Sequence, residues 1–172
     1  MKPAFTKMQH KIWSFLLFNP NKAFIQIAKE IKPPIHVNNV AKAIKDLERD
    51  GYVKIGEDRL NNRLVNTAKV SIKGFYKQLA DAYEIKLVDK TYDAIDDFIL
   101  NPKILNIIFD IKKETAKEGI GFEQMFAMSM VKFTDPKIMN KVKKMMNEDK
   151  ELGKAFDNGL GVFLKTVGEK HG

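Results

Sequence analysis

Apolar residues recur at helical spacing along most of the chain, interrupted once by a stretch of strand-like period. Met8, Ile12, Phe15 and Leu16 predict a first helix, which Asn19-Pro20-Asn21 stops. Trp13 and Leu17 fall off that stripe, so this helix is expected to be apolar on two faces and to pack in two directions. Phe24, Ile27, Ala28 and Ile31 predict a short second helix. Lys32-Pro33-Pro34 closes it, because proline lacks an N–H and pushes the preceding residue toward extended geometry. Val40, Ala43, Ile44 and Leu47, at i, i+3, i+4 and i+7, predict a third helix ending at Gly51. The outer face of that third helix carries Asn38, Asn39, Lys42, Lys45 and Arg49.

The period then changes. "YVKIG" predicts a short strand, "EDRLNNR" a charged turn, and "LVNTAKVSI" a second strand with Val65, Thr67, Lys69 and Ser71 on one face. Helical spacing resumes at Gly74 through Tyr76, Leu79, Ala80, Tyr83 and Leu87. Beyond residue 88 every segment predicts helix. The stripes are Tyr92–Ile99, Ile104–Ile111, Phe122–Phe133, Ile138–Met146 and a last helix from about Lys150 that carries Gly153, Gly159 and Gly161. Asn101-Pro102 and Asp135-Pro136 mark helix starts, and Gly119 and Gly121 bracket a break. Helix, helix, turn, helix, strand, turn, strand is the order of a winged helix-turn-helix. The expected fold is therefore mainly α: a winged helix-turn-helix with a two-stranded β wing over 1–78, followed by an all-helical domain over 79–172.

Charge sharpens this division. Residues 1–78 hold 12 Lys and 3 Arg against 6 acids, whereas residues 79–172 hold 15 Lys against 16 acids. The formal charge of +8 thus comes entirely from the winged-helix half. A compositional bias toward Lys, Ile and Asn would spread along the whole chain and would not produce that asymmetry. A basic half beside a neutral half points to a polyanion-binding module joined to a partner or dimer module. No apolar run approaches the ~20 residues of a membrane helix, and no signal-peptide pattern is present, so a cytoplasmic protein is expected. The chain has no cysteine, which excludes disulfides, a thiol nucleophile and a cysteine zinc site.

Two stretches resemble known DNA-binding modules. "IAKEI…VAKAIKDLERDGYV" resembles the helix-turn-helix of winged-helix transcriptional regulators, with a small residue in the second helix and a "V…I..LE..G(Y/L)(I/V)" tail. "NNRLVNTAKVSIKGFYKQL" is similar to the wing and following helix of MarR-type regulators, with Ser71, Ile72, Lys73, Gly74 and Phe75 at the turn that opens the long helix. The resemblance covers about residues 8–80, and a PadR-like arrangement fits the same residues. Two departures stand out: Ser71 takes the place of the usual Thr, and "KPPIH" is about two residues longer than the usual turn. The resemblance implies double-stranded DNA as partner and a two-fold homodimer, formed through the C-terminal helices and the two-faced first helix.

On that reading the recognition helix runs over about 37–50 and the wing over about 54–72. If His36 caps the helix, Asn38 and Asn39 occupy its first turn, with Lys42 one turn on. Asn pairs bidentately with adenine and Lys reaches guanine O6 and N7. Lys45 and Arg49 lie further along, in reach of phosphate, and Asp46, Glu48 and Asp50 cluster at the far end. In the wing, Arg59 and Arg63 flank Asn61 and Asn62, a tip suited to backbone or minor groove, and Lys69 and Lys73 add phosphate contacts. Two other readings use the same module. One is a winged helix for protein–protein contact in a larger assembly; the other is a replication or plasmid-maintenance protein.

No enzyme is expected, and neither is a metal or cofactor. His10, His36 and His171 are scattered and read as helix surface, turn and frayed tail. Asp96 and Asp97 are adjacent on a helix, point differently, and read as solvated. "GIG" and "NGLG" lack the preceding strand of a phosphate-binding loop and read as helix breaks. The Phe and Met residues from Phe122 to Phe133, with Met139, Met145 and Met146, suit helical core or an adaptable pocket for a small-molecule effector. Nothing in the sequence identifies such a ligand.

Overall fold

The computed structural model describes residues 5–115 and 133–172, and they fall into two compact units, Met1–Ala82 and Tyr83–Gly172. The side chains of 111–115 and the Phe122–Met130 stripe with its flanking Gly119 and Gly121 lie outside the described residues.

The first unit runs α1 (Lys7–Phe18), β1 (Lys22–Ala23), α2 (Phe24–Glu30), α3 (Val37–Arg49), β2 (Val53–Leu60), β3 (Arg63–Val70) and α4 (Lys73–Ala82). This is the expected winged helix-turn-helix, with one addition. The two-residue β1 pairs antiparallel with β3, Lys22 opposite Ala68 and Ala23 opposite Thr67, so the sheet has three strands in the order β1-β3-β2.

Its core is built from the predicted stripes: Ile12, Leu16, Ile27, Val40, Ile44 and Leu47 are almost wholly buried. The first helix departs from expectation. Trp13, which falls off the predicted stripe, is fully buried in the same core, and its Nε1–H donates to the Tyr52 carbonyl at 2.9 Å. The indole is thus buried within its own unit, Leu17 is half-buried, and Met8 and Phe18 stay exposed. Phe5 stacks edge-on against Tyr52, and Tyr52 against Phe75, each with ring centres 4.9 Å apart. Such pairs add to the apolar area they bury. α4 ends at Ala82, so Tyr83 and Leu87 do not continue it as the periodicity predicts; Tyr83 forms a turn with Glu84 at φ 53°.

The second unit contains α5 (Asp89–Ile99), α6 (Pro102–Thr115), α7 (Pro136–Glu148), α8 (Lys150–Asn158) and α9 (Leu160–His171). Tyr92, Ile95, Phe98, Ile99, Ile104 and Ile108 form its core with Val142, Leu152, Leu160 and Phe163. Asp135 and Asp149 cap α7 and α8 by accepting from the backbone N–H of Lys137 and Leu152.

Three expectations are corrected here. The single last helix is two, because the chain turns at Gly159, where a Cβ would stand 2.5 Å from the backbone nitrogen of Ile95 in α5. Asp96 is not solvated: it is 4% exposed on the inner side of α5, while Asp97 faces outward. His171 is no frayed tail. Its Nε2 lies 2.7 Å from the Tyr83 carbonyl oxygen, and the neighbouring Lys170 ammonium donates to the Glu84 carbonyl.

Candidate nucleic-acid interface

α3 owes its placement to four buried residues and two ends. Val40, Ala43, Ile44 and Leu47 face the core, and α1 and α2 pack against that side. The N-terminal end is capped as expected: His36 accepts the Asn38 backbone N–H on Nδ1 at 3.2 Å. Six residues, Ile31 to His36, separate α2 from α3. They are held by buried Ile31 and by a bond from the Ile35 N–H to the Ala28 carbonyl at 3.1 Å. At the C-terminal end Gly51 adopts φ 84°.

Asn38, Lys42, Lys45 and Arg49, at i, i+4, i+7 and i+11, lie on one line of a 3.6-residue helix, directly opposite the buried face. All four are exposed, and so is Asn39, which stands about 100° off that line on the flank that also carries Asp46. No acid occurs in the first turn, where the unsatisfied N–H groups and helix dipole already favour an anion. Arg49 differs from its neighbours on the line. Its Nη1 lies 3.3 Å from Asp46 Oδ1 and its Nε 3.2 Å from Asp50 Oδ1. The hydrogen bond to Asp50, then the charges of Asp50 and Asp46, hold its guanidinium still more firmly protonated than usual.

The wing is longer and its turn tighter than "EDRLNNR" suggests. Residues 57–60 extend β2, and the turn shrinks to Asn61 and Asn62, with φ 51° and 63°. Two successive left-handed residues make a type I′ hairpin turn, which matches the twist of the flanking strands and selects Asn. Arg59 pairs with Leu64 and Leu60 with Arg63 across the ladder. Paired residues share a face and neighbours alternate, so Arg59 and Arg63 flank the turn from opposite faces of the hairpin. Arg63 shares its face with Val65, Thr67 and Lys69, and Lys69 stands directly opposite Lys54. Alternation along the strand cannot place Lys54 beside Lys69 until the register is known. Ser71, just past the end of β3, is buried, and its Oγ accepts the Lys73 backbone N–H at 3.1 Å.

Among the described residues no group of three or more His, Asp or Glu could hold a metal ion, and no helix is long and apolar enough to cross a membrane.

No family model matches the chain, and no curated protein matches it. Among solved structures it is similar to the PcaV transcriptional regulator from Streptomyces coelicolor, determined with its natural ligand. The two are 13% identical over 68% of this chain and 78% of that one, with a TM-score of 0.37. The fold is assigned from the chain's own topology: a winged helix-turn-helix in the first unit, followed by a helical second unit.

Proposed function

We propose that this chain binds double-stranded DNA as a transcriptional regulator, with α3 in the major groove and the wing against the backbone or minor groove. The observation that carries the reading is the exposed line Asn38, Lys42 and Lys45 on the face of α3 opposite its buried stripe, beginning at an acid-free, capped N-terminus. A helix of this width fits the major groove, and its N-terminal residues are those that reach base edges. Asn38 and Asn39 would read adenine, Lys42 guanine, and Lys45 phosphate. Asn61, Asn62, Arg59 and Arg63 at the wing tip, with Lys69 behind them, would neutralise further phosphates. Charge supports the assignment: the first unit holds 15 basic against 7 acidic residues and the second 15 against 15, so the whole surplus of +8 lies with the helix-turn-helix. Recognition of two half-sites about one DNA turn apart requires a two-fold dimer, a role we assign to the helical second unit.

The test is a binding titration on duplex DNA at two salt concentrations. Affinity built on phosphate neutralisation falls steeply with salt. Absence of binding at low salt would remove this reading and leave the winged helix as a protein-contact module.

A further inference from the structure

We infer that Arg49 is withheld from DNA by Asp46 and Asp50, so that α3 engages the duplex with its N-terminal half alone and its last turn acts as an electrostatic stop. This inference rests on the proposed DNA-binding role of the same helix.

By position Arg49 belongs to the contact line: it continues Asn38, Lys42 and Lys45 at i+11 and is exposed. By chemistry it does not. A guanidinium offers five N–H donors in a planar fork, which is why it suits phosphate. Here the Nε side of the fork meets Asp50 at 3.2 Å, and Nη1 meets Asp46 at 3.3 Å. Two carboxylates from its own helix end thus engage two of the five donors, one on Nε and one on Nη1, and draw the fork back toward the helix end. The wider charge balance acts the same way. Residues 46–50 carry three carboxylates (Asp46, Glu48, Asp50) against this one guanidinium, whereas residues 37–45 carry Lys42 and Lys45 and no acid. The helix dipole adds to the gradient, positive at the N-terminus and negative at the C-terminus. A phosphate approaching the last turn meets net negative charge; one approaching the first two turns meets net positive charge. The consequence is a short reading head. Asn38, Asn39 and Lys42 lie within reach of bases, Lys45 marks the limit of contact, and the acids keep sequence-independent affinity low at the far end.

The experiment compares the full chain with Arg49→Gln and with the double variant Asp46→Asn/Asp50→Asn on a mixed-sequence DNA duplex, measuring the dependence of log K on log salt. Arg49→Gln should leave the slope unchanged. The double variant, which frees the guanidinium while keeping side-chain size, should steepen the slope by about 0.9, the value for one added phosphate contact, and bind more tightly at low salt. Melting temperatures check that each variant is folded, and Arg49→Gln alone can decide the matter if the double variant is not. A flatter slope for Arg49→Gln, or an unchanged slope for a folded double variant, overturns the inference while leaving DNA binding intact. Failure of the unmodified chain to bind at low salt overturns both.

Discussion

Gly51 and Gly74 meet backbone to backbone: the Gly74 N–H donates to the Gly51 carbonyl at 2.8 Å, with no room for a side chain on either. A Cβ on Gly74 would stand 2.5 Å from the Asp50 carbonyl oxygen and 2.8 Å from the Tyr52 ring. One on Gly51 would stand 2.9 Å from the Gly74 nitrogen. This contact pins the C-terminal end of α3 to the start of α4, and with it the direction in which α3 projects. The close approach needs glycine at both positions, and the φ of 84° needs it at Gly51 for a second reason.

Gly74→Ala is therefore expected to destabilise the chain by about 1–3 kcal/mol, the usual cost of overpacking. Gly168→Ala provides the contrast. A Cβ there meets nothing within 4 Å, and the residue sits within α9. Helix propensity should make that variant more stable by about 0.5–1 kcal/mol. Denaturant midpoints measured side by side test both signs; equal stabilities for the two variants would contradict the packing described.

The wing turn makes a separate prediction. With both Asn61 and Asn62 left-handed, Asn62→Gly should be tolerated or stabilising, and Asn62→Val should cost about 1–2 kcal/mol, the penalty for a left-handed L-residue. If Asn62 also touches DNA, Asn62→Gly loses affinity without losing stability. Measuring melting and binding on one sample separates the two roles.

Base and phosphate contacts on α3 should differ in kind. Lys42→Ala is expected to lower affinity on every sequence and to flatten the salt slope by about 0.9 if its ammonium sits on phosphate. If Lys42 reads guanine instead, the loss should concentrate on the preferred site. Asn38→Ala should cost about 1–3 kcal/mol on the preferred site and little elsewhere, relaxing discrimination at one base pair. A selected binding site, followed by titration of each variant on it and on random duplex, provides the readout.

In the second unit, Asp149 links stability to pH. Its Oδ1 accepts the Leu152 N–H at 3.1 Å, and its Oδ2 lies 3.5 Å from the Lys103 ammonium. The backbone bond chiefly, opposed by partial burial and helped by Lys103, holds the carboxyl below its ordinary pKa. A lowered folded pKa means stabilisation that is complete above the ordinary aspartate range and is lost as pH falls through the lowered value. Asp149→Asn retains a capping oxygen but no charge. The difference in melting temperature between the native chain and this variant should therefore shrink on acidification. A difference that stays constant from neutral to acid pH would show that the charge contributes nothing.

Much of the first unit could be read from the chain because its signals are local. The apolar spacing of Val40, Ala43, Ile44 and Leu47, the proline pair after α2 and the capping of α3 by His36 all depend on residues close in sequence. Where those local signals failed, contacts from elsewhere in the fold had decided. Trp13 sits off the predicted stripe, yet Tyr52, 39 residues away, supplies the acceptor that lets its indole be buried. Glu57 to Leu60 look like turn, with two acids and an Arg in four residues, but each pairs across the ladder with β3 and so becomes strand. Gly159 reads as a loosened helix, but the crowding by Ile95 turns it into a corner.

The candidate interface divides the same way. Sequence by itself determined which face of α3 is polar, that its first turn lacks acid, and that the positive surplus lies in the first unit, because these follow from residue order and helical period. Tertiary structure decided the rest. The strand register set Arg59 and Arg63 on opposite faces of the hairpin and brought Lys54 across from Lys69. Hydrophobic periodicity shows which side of an element is turned away from the core. The direction in which a charged side chain reaches from that side depends on neighbours that only the folded backbone assembles.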